Sequence, residues 1–375
     1  MSKQLSDIGL PPAQGERFLF QCALWIATGQ YLEPTSTVAR SLPLEQQESS
    51  LIAAAFRERV VPLVAEFSHV HQLEIDPDFA TISRVLGVSM KAMFKHISPV
   101  VQALRESGID VMILKGADLA LTTYPPHVPR MMHDIDILVK PADVTRTRSV
   151  FSDHGFIQGE FDRHQLKIVP YELREREALE AEHYELASFR KLLRLPSLDE
   201  YAARIEKYLP LFYAFFVTQR QVYYSVKCDV HVNVSRKLAL DDMWYKPRQI
   251  QLPFGRSAFA QSPADLFWFL ATRLYYETMS TASVRLLQFS DVLSVAKTYH
   301  REIDWQRIQD IAGRYKLHAS LFYVFSLVNN FIDGAVPHEV IEFCNPERKG
   351  VPKHNDFGDL APTLFRITPA TDRRT

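Results

Sequence analysis

Large apolar residues recur at helical spacing toward both ends of the chain, whereas its middle is built of short runs that are wholly apolar or alternate in twos. Phe18, Phe20, Leu24 and Trp25 fit one face of a helix over residues 17–30, and the helical pattern returns over 46–70 and 78–107. Gly108 stands where a helix commonly closes. Residues 109–114 are short and almost entirely apolar, the pattern of a strand buried on both faces. A turn at Lys115-Gly116 then opens a helix over 117–123. Pro141 and Asp143 start another, which runs through Phe151 and ends at Gly155. Residues 222–234 alternate: Val226, Cys228, Val230, Val232 and Val234 share one parity, and Asp229, His231 and Asn233 share the other. Further helical patterns follow at 263–279, 283–299, 305–315 and 318–331.

The region 161–216 is less regular, with charge over 172–190 that predicts a helix and helical spacing over 197–216. Pro34 to Pro43 reads as a linker, and residues 345–375, rich in Pro, Lys, Arg and Asp, read as a flexible tail. The pattern divides the chain into an N-terminal helix and linker (1–46), a helical region (47–107), a core (108–240) with an insertion near 192–218, a C-terminal helical domain (241–344) and the tail. Helices gathered at the ends with strands between them predict an α+β protein.

Composition narrows the function. Lys and Arg total 43 against 44 Asp and Glu, a net charge of −1, so no overall field draws the chain to long nucleic acid or to an anionic membrane. Cys22, Cys228 and Cys344 are too far apart for a metal-binding or disulfide pattern. Residues 1–16 lack the apolar segment of a secretory signal, and no apolar run reaches the length of a spanning helix. These features predict a cytoplasmic protein without membrane partners.

Candidate chemistry lies in the middle. In Arg130-Met-Met-His-Asp-Ile-Asp-Ile-Leu-Val139, Asp134 and Asp136 are two apart in a β-rich run and so project from one face, while Ile135 and Ile137 face the core. Neighbouring carboxylates repel unless a proton or cation lies between them, and hard oxygen ligands favour Mg²⁺ or Mn²⁺. An Asp-x-Asp pair is also common in solvated loops. Here the turn at Gly116, the cations Lys115 and Arg130, and Asp229 on a second strand argue for a metal site. The anion-seeking start of the helix after Lys115-Gly116 suits a phosphate.

Lys-Gly after an apolar strand, Tyr124-Pro125 and Arg130 before Asp-x-Asp-x-Leu-Val, and the later Asp229-x-His231 strand resemble the uncharacterised nucleotidyltransferase family of the polymerase-beta-like superfamily. The resemblance extends through Arg285–Leu293 and Ile303–Ile308 and covers roughly residues 47 to 333. It implies a small mixed sheet between N-terminal and C-terminal helices, with Asp134, Asp136 and Asp229 as the metal-binding, catalytic carboxylates and Gly116 in the nucleotide-phosphate turn. Lys115 and Arg130 are then further phosphate contacts, and His231 and His183 are candidates for substrate contact. It also implies an extended strand at Glu182–Leu186, in conflict with the helix predicted from charge. The expected donor is an NTP; protein side chain, small molecule, sugar and RNA end remain open as acceptor. Two other readings stand beside it: a glycosyltransferase whose Asp-x-Asp holds a nucleotide diphosphate, and a nucleotide-binding regulatory protein of the same fold without turnover.

Overall fold

A computed structural model describes residues 14–30, 48–281 and 285–349. The predicted linker at Pro34–Pro43 and the tail beyond residue 349 lie outside them. The chain forms two compact units, one of residues up to 79 and from 263 onward, the other of residues 80–262.

The first unit is helical. It contains α1 (Gln14–Thr28), α2 (Glu48–Arg57) and α3 (Val61–Val70), and its later part holds helices at Pro263–Thr281, Leu286–Tyr299, Trp305–Tyr315, His318–Phe331 and His338–Cys344. Its core is aromatic: Phe20 stacks on Phe289 at 5.8 Å and meets Phe331 at 5.7 Å, while Trp25 lies edge-on to Phe67 at 5.5 Å. Fully buried Asp265 accepts hydrogen bonds from Trp268 Nε1 at 2.8 Å and Arg307 Nε at 3.0 Å, so this buried charge is both paired and hydrogen-bonded. The single helix predicted over 46–70 is broken between α2 and α3. Pro62 lacks an N–H and cannot follow a continuous helix, but it suits the first turn of α3, and Arg59 takes a left-handed φ of 58° at the break. None of the described helices is long and apolar enough to cross a membrane.

The second unit is a mixed sheet with helices about it. In chain order it contains α4 (Asp78–Glu106, shared at its start with the first unit), β1 (Met112–Ile113), α5 (Lys115–Thr122), β2 (Ile135–Leu138) and α6 (Val144–Asp153). After these come β3 (Ile157–Asp162), β4 (Lys167–Pro170), α7 (Leu173–Glu182), β5 (Phe189–Arg194), α8 (Ala202–Lys207), β6 (Phe215–Thr218), β7 (Gln221–His231), α9 (Leu240–Met243), β8 (Arg248–Leu252) and β9 (Arg256–Ala260). The sheet order is β4-β3-β5-β7-β2-β1-β9-β8, with β6 also pairing with β7. Antiparallel and parallel pairs alternate at the centre: β1 is antiparallel to β2, β2 parallel to β7, and β1 parallel to β9. This mixed sheet between helical stretches is the α+β organisation expected from the pattern.

Val111, Met112, Ile113 and Leu114 are all buried, as a two-sided central strand requires. Only Met112–Ile113 forms regular ladder, although the Phe259 N–H to Val111 O and Leu114 N–H to Asp136 O bonds extend the pairing by one residue each way. Over 172–190 both expectations hold in part. The charged segment 173–182 is a helix with no buried residue, and the chain then turns extended, with the Leu186 N–H donating to Val230 O at 2.8 Å. The helical reading of 197–216 is corrected: a 3₁₀ turn at Pro196–Tyr201 and the six-residue α8 give way to β6, which returns through Gln219-Arg220 into β7. These two residues have φ of 48° and 59°, the backbone of a tight hairpin turn.

Candidate active site

The site is built on β2 and β7. Their parallel register sets Ile135 beside Cys228, Asp136 beside Asp229 and Ile137 beside Val230. Ile135, Ile137, Cys228 and Val230 are fully buried, which fixes that face as core and turns Asp136 and Asp229 together to the other. One step back in the same register, Asp134 falls opposite Lys227.

Each acid has identified partners. Asp229, 6 % exposed, accepts a hydrogen bond from Ser188 Oγ at 2.7 Å on one oxygen and from Lys227 Nζ at 2.6 Å on the other. Lys227 Nζ also lies 3.8 Å from Asp134 Oδ2. Asp136 Oδ1 is 2.7 Å from His231 Nε2 and 3.3 Å from Lys115 Nζ. The far nitrogen of His231, Nδ1, is 3.5 Å from Glu185 Oε2, and the Tyr184 ring stacks on the imidazole at 6.1 Å.

The electrostatics follow from this crowding. Burial, then the charges of Asp136 and Asp229, push the Asp134 carboxyl above its ordinary value, against the pull of Lys227 and Lys115. Burial by itself would lower the Lys227 ammonium, but Asp229 and Asp134 outweigh it and hold the group above its usual value. Among the described residues, no three His, Cys, Asp or Glu side chains are gathered as metal ligands where they now stand. Asp136 and Asp229 share a face, and Lys227 lies between Asp229 and Asp134.

The Lys115-Gly116 turn carries its unusual backbone at the lysine. Lys115, rather than the glycine, takes the left-handed backbone, with φ of 46°. A non-glycine residue there carries strain of about 1–3 kcal/mol, a feature that clusters at ligand-clamping positions. Gly116 makes room for Arg130. A Cβ at that position would run into Nη1 of Arg130 and lie 3.3 Å from its Cζ, so the missing side chain lets the guanidinium lie across the turn. Gly116→Ala should therefore keep the fold, since the flexible end of Arg130 can give way, and, on the expectation that Arg130 grips phosphate, should weaken NTP binding by about tenfold. Calorimetric titration beside a thermal melt checks both halves.

Under the turn, Asp118 in the first turn of α5 is fully buried and accepts two hydrogen bonds from Arg248 Nη2 on β8, at 2.5 and 2.6 Å. Burial pushes this carboxyl up, while the Arg248 charge and hydrogen bonds pull it down. The pair ties the start of α5 to the hairpin β8–β9.

Of the sequence candidates, Lys115, Asp134, Asp136, Asp229 and His231 are brought together, and Arg130 with Gly116 forms the adjoining turn. His183 is not among them: it lies exposed at the end of α7, and its neighbours Tyr184 and Glu185 are the residues that reach His231. Lys227, Ser188 and Glu185 escaped the sequence reading. Lys227 has the parity of Asp229 and His231 and so carried a usable signal; the other two arrive by pairing with β7 from a distant part of the chain.

Residues 45–333 match the model of the uncharacterised nucleotidyltransferase family. The match covers more than half of the sequence, and the chain belongs to that family. Membership supports nucleotidyl transfer as the general activity and implies an NTP as substrate. No curated protein matches the chain.

Proposed function

We propose that the protein moves a nucleoside monophosphate from an NTP to a hydroxyl acceptor, with pyrophosphate leaving, and that the reaction depends on Mg²⁺ or Mn²⁺. The observation that carries this reading is the β2–β7 register, which sets Asp136 beside Asp229 on one face, with Asp134 3.8 Å from the same Lys227 ammonium that Asp229 contacts. A set of carboxylate oxygens is the donor chemistry of a hard divalent cation, and Asp229 and Asp134 already share a positive charge, the Lys227 ammonium. Asp134, Asp136 and Asp229 would hold the metal, which supplies positive charge to the phosphates and to the leaving oxygen.

The chain's own groups do the rest. Lys115 offers a compact charge to the triphosphate, and Arg130, lying across Gly116, offers its planar fork. Asp229 is placed to take the proton of the acceptor hydroxyl, with Ser188 fixing one of its oxygens. His231 holds Asp136 in orientation through the 2.7 Å contact, and Glu185 Oε2 stands 3.5 Å from its other nitrogen. A third acid on the second strand favours this reading over an Asp-x-Asp glycosyltransferase, whose nucleotide diphosphate needs only the pair.

Thermal melts test the metal dependence. An NTP should raise the melting temperature far more with Mg²⁺ or Mn²⁺ than with EDTA, and Asp136→Asn should lose that metal-dependent part while remaining folded. Equal shifts in metal and EDTA would contradict the proposal.

A further inference from the structure

Lys227 projects from the same face of β7 as Asp229 and His231, and nothing in the proposed transfer uses it. Its ammonium lies 2.6 Å from Asp229 Oδ2 and 3.8 Å from Asp134 Oδ2, so it meets the acid on β7 and the one just before β2. That position follows from the backbone: Lys227 and Asp229 are two apart on one strand, and the β2–β7 register brings Asp134 alongside. In the neighbouring strand β5, Arg190 is in register with Lys227 and ion-pairs with Glu160 at 3.0 Å. A second cation therefore stands beside Lys227 on the side away from Asp134, which weakens the hold of the acids on the ammonium. The lysine stem is long and flexible, and its charge can leave without disturbing the strand.

We propose that Lys227 is a built-in countercation, which neutralises Asp229 and Asp134 in the absence of divalent ions and is displaced when the first divalent ion binds. The device lets three acids fold side by side without metal. It also sets the concentration of metal at which the site is loaded, because the first ion that enters must displace an ammonium. The inference rests on the metal-dependent reading above and adds to it a residue whose role is exchange with the metal rather than contact with the reacting phosphate.

The test is Mn²⁺ binding without nucleotide, followed by the electron paramagnetic resonance of free Mn²⁺, on the full-length protein and on Lys227→Gln. The variant should bind Mn²⁺ at least about tenfold more tightly, since the competing charge is gone. In EDTA it should melt at lower temperature than the wild type, and Mn²⁺ should restore it. A second measurement uses the wild type alone and does not depend on the variant folding. Acetylation of Lys227 by a water-soluble acylating reagent, read by mass spectrometry, should rise severalfold on adding Mn²⁺. Equal Mn²⁺ affinity in wild type and variant, or labelling of Lys227 that ignores Mn²⁺, would overturn the countercation role and leave the metal-dependent reading standing. Failure of both folded proteins to bind Mn²⁺ would overturn the countercation role as well, while the melts with NTP in metal and in EDTA decide separately whether the metal-dependent reading stands.

Discussion

Asp229→Asn is expected to slow single-turnover transfer by about a hundredfold to ten thousandfold, the range of a lost general base, while NTP affinity changes by less than about threefold. The asparagine oxygen can still accept the Ser188 hydroxyl that bonds Asp229 Oδ1 at 2.7 Å, so the strand and its register should survive. What disappears is the negative charge proposed to receive the acceptor's proton. In the proposed mechanism, binding of the donor rests mainly on Lys115, Arg130 and the Asp134–Asp136 pair, none of which is altered. Rapid-quench kinetics beside calorimetric titration separates the two effects, and a loss confined to NTP affinity would assign Asp229 to donor binding instead. Full activity in the variant would remove the three-acid chemistry and restore the glycosyltransferase reading.

Arg248→Ala should be the most damaging change to stability in the sheet unit, costing about 3–5 kcal/mol, because it leaves the Asp118 carboxylate buried without its counter-charge. Thr122 Oγ1 at 3.2 Å would be the remaining side-chain donor, and a hydroxyl cannot replace a guanidinium. The sign of the pH dependence follows from the direction of the shift. Burial already raises the Asp118 carboxyl, and losing Arg248 removes the charge that opposes the rise. A carboxyl whose folded value lies above its unfolded value takes up a proton more readily when folded, so the penalty is relieved as pH falls through the folded value and is complete above it. Urea denaturation should therefore find the variant weaker at about pH 8 than at about pH 5, relative to wild type. Pairing the change with Asp118→Asn should recover much of the loss, since the unpaired charge goes with it. As α5 begins at Lys115, the single variant should also bind NTP less well.

The long-period features were legible because they repeat. Aromatic and aliphatic spacing placed the terminal helices, and the period of two placed Asp229 and His231 opposite the buried valines of β7. Asp134 and Asp136 were found by the same rule, together with the lysine-glycine turn upstream. Features made by distant pairing left no local trace. Glu185 and Ser188 reach the site only because the segment after α7 runs antiparallel to β7, a partnership that depends on the whole sheet. The β6–β7 hairpin was hidden for a different reason: Gln219 and Arg220 fill positions where Asn-Gly or Gly would have announced the turn. At Gly116 the resemblance implied a place in the nucleotide-phosphate turn; what the sequence did not reveal is that its missing side chain accommodates Arg130 and that the left-handed backbone falls on Lys115. Lys227 lay within reach of the parity argument; a cation among acids is easily passed over in a search for ligands.

The central claim concerns which bond of the NTP is broken, and label position tests it most directly. The protein is incubated with Mg²⁺, a cell extract as the source of acceptor, and NTP labelled either at the α- or at the γ-phosphorus. Nucleotidyl transfer predicts that α-label passes into the acceptor fraction while γ-label appears in pyrophosphate, that EDTA stops both, and that Asp229→Asn slows both together. Transfer of γ-label to the acceptor, or label movement indifferent to EDTA and to Asp229, would contradict the account.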